Sequence, residues 1–173
     1  MKRQARDEEF RAFFVADGAR LERFATMLVG DPVEGAELAQ EALVRIYSRW
    51  GRIRSGSPWA YARQTILNLV RSAHRARKLR AVNPVPGWVR LDETTSVDVD
   101  DLVGDSMRVI DALRHLSPTR RATILLRFYE DMAEQEIATT LDRPLGTVKS
   151  DIHRGLLQLR PLLEESEAKG RTR

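Results

Sequence analysis

Lys149, Ser150, Asp151, His153 and Arg154 are the side chains whose types and spacing are best suited to chemistry. They place two cations, a hydroxyl, a carboxylate and an imidazole on one short stretch. Such groups can donate to phosphates and read base edges, an arginine doing so through two hydrogen bonds to one guanine. They alternate with Val148, Ile152, Leu156 and Leu159, which recur at helical spacing and are expected to face a core. The polar set is therefore expected on the outward face of a helix.

The elements that must position that face come just before it. A short amphipathic helix is expected over Ala133–Leu141, with Ala133, Ile137, Ala138 and Leu141 on its apolar side. Asp142-Arg143-Pro144 interrupts the pattern, since proline cannot continue the first helix. A helix, a three-to-four-residue turn and a second helix with a polar, basic face make a helix-turn-helix, whose second helix lies in the DNA major groove. An ordinary helical hairpin with a solvated face has the same spacing. Spacing alone leaves both readings open.

Composition narrows the classes. The chain has 173 residues, 42% of them hydrophobic and 31% charged, as expected of one domain or two small ones with a core. It has no cysteine, which excludes disulfides, thiolate zinc sites and a cysteine nucleophile. His74, His115 and His153 are scattered without ligand spacing, so no metal or cofactor is expected. No nucleophile–base pair or phosphate loop stands out, and an enzyme is not expected. Met1-Lys2-Arg3-Gln4 is followed by no apolar run, and no stretch reaches the length of a membrane span. The expected location is the cytoplasm, without membrane insertion. Residues 91–105 carry Asp92, Glu93, Asp98, Asp100, Asp101 and Asp105 and no Lys or Arg, whereas both flanking stretches are net positive. Two basic modules joined by an acidic linker suit a nucleic-acid partner; solvated surface is the plainer alternative.

The first module reads as helical throughout. Phe10, Phe13, Phe14, Leu21, Phe24 and Leu28 keep a 3.6-residue period over Glu8–Val29, and Gly30 is placed to end that helix. Asp31-Pro32-Val33-Glu34 is a helix start, with a capping Asp, a first-turn Pro and a Glu three residues on. This second helix is expected to reach about Trp50, with Ala36, Ala39, Leu43, Ile46 and Trp50 as its stripe. Glu37, Gln40 and Glu41 lie off the stripe. Residues 51–56 read as a loop, and Ser57-Pro58 opens a third helix to about Leu79. Tyr61, Thr65, Asn68 and Ser72 fall near one side of it; Arg71, Arg75 and Lys78 share a face. Cations interleaved with rings suit single-stranded nucleic acid, although a basic solvated helix has the same look. Trp50 and Trp59 are expected to be core anchors.

The linker is expected over Ala81–Asp105, where Pro84, Pro86 and Gly87 break helices. A short helix follows over Ser106–Leu116 with Val109, Ile110 and Leu113. Ser117-Pro118 caps the next, whose Ile124, Leu125 and Phe128 are expected to pack, leaving Arg120, Arg121 and Arg127 for phosphate or a protein partner. Residues 164–173 read as a polar tail that frays.

Glu136-Ile137-Ala138, Gly146-Thr147-Val148-Lys149-Ser150, Arg154 and Leu159 together resemble the C-terminal DNA-binding domain of bacterial sigma factors, in particular the extracytoplasmic-function group with its two folded domains. Tyr61 through Asn68 and the Arg-rich run after it resemble the sigma segment that opens the minus-10 element. The family usually carries Trp where Tyr61 stands, and Thr65 and Leu67 depart from its commoner pattern. Glu37-Leu38-Ala39-Gln40-Glu41 is similar to the segment that grips the polymerase clamp helices.

The resemblance implies an all-α chain of two small domains, residues 1–80 and 106–163. The function it implies is that of a sigma subunit binding promoter DNA and core RNA polymerase through the clamp of the beta-prime subunit and the beta flap, with an anti-sigma factor as a further partner. It implies minus-35 contacts at Lys149, Ser150, Asp151, His153 and Arg154. It implies minus-10 contacts at Arg52, Arg54, Tyr61, Asn68, Arg71, Ser72 and Arg75, and polymerase contacts at Glu37, Leu38, Gln40 and Glu41. It also implies a linker that threads polymerase, its acidity standing in for nucleic acid; a plain tether is the alternative. Asp151 stands where the family often has Arg, and is expected either to accept from a cytosine or to orient Arg154. A helix-turn-helix regulator that is no polymerase subunit would share residues 117–159 and need neither the 37–41 segment nor the Asn68 helix.

Overall fold

A computed structural model describes residues 2–82 and 104–170, and every described element is helical. The expected linker lies almost wholly outside these residues. The chain divides into two compact units, residues 1–25 with 32–98 and residues 26–31 with 99–173.

The first unit is built on α1 (Lys2–Val29), α2 (Pro32–Ile53) and α3 (Pro58–Val82). α1 starts six residues earlier than its apolar period, because Arg6, Asp7 and Glu9 find partners on α2. The Tyr47 hydroxyl accepts from Arg6 at 3.0 Å and donates to Asp7 at 2.7 Å. The rings of Phe10 and Phe13 meet Trp50, at 5.4 and 5.3 Å between centroids, in the tilted and edge-on geometries that ring quadrupoles favour. Trp59 takes Phe24 on one side and the Arg20 guanidinium, 3.9 Å from its ring centre, on the other. Trp50 is thus a core anchor, as expected, and Trp59 is half-buried.

Two expectations about faces and one about a helix end are corrected. Phe14 is half exposed, whereas Phe13, Leu21, Phe24, Ala25 and Leu28 of α1 are buried. On α2 the buried stripe is Leu38, Ala39, Ala42, Ile46 and Trp50, so Ala36 and Leu43 sit at its margin. α2 also runs on through Gly51 and Arg52 to Ile53, three residues into the expected loop. Helix continuation satisfies the Arg54 amide on the Trp50 carbonyl at 3.0 Å, which a loop would leave to water.

The second unit holds α4 (Gly104–Arg114), α5 (Pro118–Phe128), α6 (Glu134–Leu141) and α7 (Leu145–Gly170). Its core is Ile110, Leu113, Leu116, Ile124, Leu125, Leu126, Ile137, Ala138, Leu141, Val148, Ile152 and Leu159. Val109, Phe128 and Leu156 face solvent instead of the core. Gly155 explains the last of these. It is the residue at the α5 contact, and a Cβ there would lie 2.8 Å from Ile124 Cδ1. Close approach at Gly155 turns Leu156 outward. α7 continues past Pro161 to Gly170, so the backbone of the expected tail is helical through that residue.

Arg121 is a buried charge that closes the α4 end. Its guanidinium donates to the carbonyls of Arg114 and Leu116, at 3.2 and 3.3 Å, which the helix terminus leaves unsatisfied. Burial, and then the neighbouring Arg114 charge, pull its pKa below the usual guanidinium value. Among the described residues no helix is long and apolar enough to cross a membrane, and no group of acidic and histidine side chains is arranged to hold a metal.

Candidate nucleic-acid interface

Two surfaces carry the residues singled out by sequence. The first is a cleft of about 310 Å³ between α2 and α3, lined by Arg45, Ser48, Arg49, Tyr61, Gln64, Thr65 and Asn68. Tyr61 and Asn68 thus share one concave site. Two turns of α3 separate them, and Thr65 fills the floor between. Thr65 is buried and donates its hydroxyl to the Tyr61 carbonyl at 2.8 Å. This back-bonding satisfies a polar group that packing has taken from water.

Each of the two residues is held. Arg49 donates to the Tyr61 hydroxyl at 2.8 Å, and Gln64 donates to Asn68 Oδ1 at 3.2 Å. The second bond leaves the Asn68 amide group, with its two donors, free for an acceptor in the cleft. Arg45, Ser48, Arg49 and Gln64 were not singled out by sequence. The signal was partly present: Arg45, Ser48 and Arg49 lie at i, i+3 and i+4 on the α2 flank beside the Ala42 and Ile46 stripe.

The other residues expected near this site fall elsewhere. Arg54 chelates Glu9, at 2.8 and 3.0 Å, and that bond holds the Glu9 carboxyl below its usual range, helped by Trp50 and opposed by partial desolvation. Arg54 is therefore committed within the unit. Arg52, Ser72 and Arg75 are exposed on the same unit, and Arg71 is half-buried. None of the four lines the cleft. Of the clamp set, Glu37, Gln40 and Glu41 are exposed, with Glu41 paired to Arg45, whereas Leu38 is only 8% exposed and belongs to the core. Leu38 is thus corrected from surface contact to packing residue.

The second surface is the outward face of α7. The α6–α7 turn forms because Asp142 adopts a left-handed conformation, φ 52°, and the Arg143 amide then closes on the Ala138 carbonyl at 2.9 Å. Glu136 reaches back to the Ala133 amide at 2.9 Å and caps the start of α6; Ala133 is an exposed cap and not part of the apolar side. Thr147 and Val148 amides bond the Pro144 carbonyl and start α7. Lys149, Ser150, His153 and Arg154 are all exposed. Lys149 lies 3.9 Å from Glu134, a loose pair at the α6 start.

Asp151 does not join them. It sits on the flank that meets α5, 3.7 Å from Arg120 and 3.8 Å from Arg143, with 15% of its side chain exposed. Arg154 is not its partner, and the orienting role expected for it is corrected. Arg120, Arg121 and Arg127 were expected to face outward. Arg120 instead bonds Gln158 at 2.6 Å, Arg121 is buried, and Arg127 donates to the Met132 carbonyl at 3.1 Å.

Comparison with known proteins places both surfaces in one family. Residues 13–80 match the family model for sigma-70 region 2, and residues 106–159 the one for sigma-70 region 4. An RNA polymerase sigma-E factor of Streptomyces avermitilis is 36% identical over 164 residues, covering 94% of this chain and 89% of that one. The ECF RNA polymerase sigma factor SigL of Mycobacterium tuberculosis is 29% identical over 90% of this chain and 89% of its own. The fold is shared with the sigma factor RpoE of Bartonella quintana, solved in complex with the anti-sigma factor NepR, at a TM-score of 0.72 and 21% identity over 91% of this chain and 98% of that one.

The fold is that of a two-domain transcription initiation factor. The chain belongs to the sigma-70 family, within its extracytoplasmic-function group.

Proposed function

We propose that this chain, as a non-catalytic subunit of RNA polymerase in the cytoplasm, reads a minus-35 element with α7 and captures an unstacked minus-10 base in the cleft between α2 and α3. The observation that carries the reading is the cleft itself. It brings an aromatic ring, a free amide group and two guanidinium groups into one concavity of about 310 Å³. A ring can stack on any base, an amide can read one edge, and cations can follow the backbone. Taking a base out of the stack costs a few kcal/mol, which such contacts offset.

Lys149, Ser150, His153 and Arg154 are the readers on the second unit. Arg154 is assigned to a guanine, and Lys149, near the helix start, to a phosphate. Glu37, Gln40 and Glu41 are assigned to the polymerase clamp, with Leu38 beneath them as packing. The solved relative's complex supports an anti-sigma factor as a further partner of this chain. Mixing the full chain with core polymerase and sequencing the transcript starts on a genomic template tests the whole reading. Starts that share spaced upstream elements are the expected result. Starts identical to those of core polymerase alone would overturn it.

A further inference from the structure

The carboxylate of Asp151 lies between two guanidinium groups on a helix assigned to DNA. Arg120 approaches it from α5 and Arg143 from the α6–α7 turn, at 3.7 and 3.8 Å. Arg120 is fastened at its other end by Gln158, one more turn pair along the same flank of α7, at 2.6 Å. The Nε atoms of both arginines are buried without a hydrogen-bond partner, so neither guanidinium is placed for its own best bonding. Beyond the Gln158 bond to Arg120, what the two share is Asp151, the anion that both face.

A bare carboxylate on such a helix would repel phosphate. Two free arginines beside it would do the opposite and bind any duplex, because phosphate contacts supply affinity that carries no sequence information. Drawing the three together cancels both tendencies on this flank. Affinity is then left to the outward face, where Ser150, His153 and Arg154 stand exposed.

We infer that Asp151 is a specificity-determining residue that never touches a base: it withholds Arg120 and Arg143 from the DNA backbone. The inference rests on the reading of α7 as the DNA-facing helix.

The test uses holoenzyme reconstituted from the full chain and core polymerase. The probes are a duplex carrying a promoter selected from a library and the same duplex with its upstream element scrambled. Asp151→Asn should raise affinity for the scrambled duplex about three- to tenfold while moving promoter affinity less, so that discrimination falls. Each newly met phosphate should steepen the log–log salt slope by about 0.9. Adding both Arg120→Gln and Arg143→Gln to Asp151→Asn should undo the gain, whereas Arg143→Gln alone should change binding less than about twofold, the non-additivity expected of coupled side chains.

An unmoved salt slope in Asp151→Asn would overturn the inference. So would a change of preferred base at one position, which would make Asp151 a reader. Should Asp151→Asn fail to fold, the uncharged triple variant Arg120→Gln/Arg143→Gln/Asp151→Asn decides: near-native binding supports withholding, and a tenfold loss with a flattened slope overturns it. Wild-type holoenzyme that does not prefer the promoter over the scrambled duplex would remove the reading of α7 and this inference with it. Preference intact with an unmoved slope removes the inference alone.

Discussion

Arg49 of α2 donates to the hydroxyl of Tyr61 of α3 at 2.8 Å, so the ring that faces the cleft is held by its edge. Stacking needs the ring's face and not its hydroxyl. Tyr61→Phe should therefore keep promoter opening within about twofold. Tyr61→Ala should lose the stacking contribution, about 1–3 kcal/mol per base. Fluorescence of 2-aminopurine in the minus-10 element measures both. Equal loss in the two variants would assign the hydroxyl, and not the ring, to the function.

Asn68 presents its amide group because Gln64 occupies its carbonyl oxygen at 3.2 Å. Asn68→Ala should impair open-complex formation more than initial promoter binding. Gln64→Ala should give a milder version of the same split, since it frees Asn68 to flip. Footprinting before and after opening separates the steps. Equal loss at both would make Asn68 a packing residue.

On α7 the expected outcome is an asymmetry. Arg154→Ala should relax base preference at one or two upstream positions, a contact worth about 1–3 kcal/mol of discrimination. Lys149→Ala should weaken binding evenly across sequences and reduce the salt slope by about 1. Selection from a promoter library reads the first, and a salt titration the second. An unchanged motif for Arg154→Ala would exclude it as a base reader.

Leu38 and Glu41 are one helical turn apart and should behave oppositely. Leu38 is in the core, and Leu38→Ala should cost about 2–5 kcal/mol in urea unfolding. Glu41 is exposed, and Glu41→Lys should weaken core polymerase binding in a pull-down with helix content unchanged. Unchanged binding would take the clamp assignment from this face.

Asp142 holds the turn in a left-handed conformation at φ 52°. A β-branched side chain is penalised there, by about 1–2 kcal/mol. Asp142→Val should lower the stability of the second unit by that amount, while Asp142→Gly should stay within about 1 kcal/mol of the native value. Thermal melting distinguishes them. Equal stability of the two variants would contradict the geometry.

Much of the fold was legible in sequence because caps and helical periods are local. Pro32, Pro58, Pro118 and the Asp142–Pro144 turn all begin or break helices where expected. Rotation of a helix about its axis was less legible. Alanines and leucines at Ala36, Leu38, Ala39 and Leu43 fit two overlapping stripes, and the neighbouring helix decided between them. The cleft was half legible: Tyr61 and Asn68 were visible as types, whereas Arg45 and Arg49 belong to it only because α2 packs on α3. Partners distant in sequence, such as Glu9 for Arg54 and Arg120 for Asp151, leave no local mark at all.

Gly155 gives the reading helix a single angular setting. A Cβ there would meet Ile124 Cδ1 and Cγ1 at 2.8 Å, so a larger residue must displace the Ile124 side chain or roll α7. A shift of about 1 Å at a helix surface some 5 Å from its axis is a roll of roughly ten degrees. Side chains on the far side would swing by a similar distance, enough to move a two-pronged contact off its base. On the proposed reading of α7, the domain's sequence preference would be tuned in part from its interior, at a residue buried against α5.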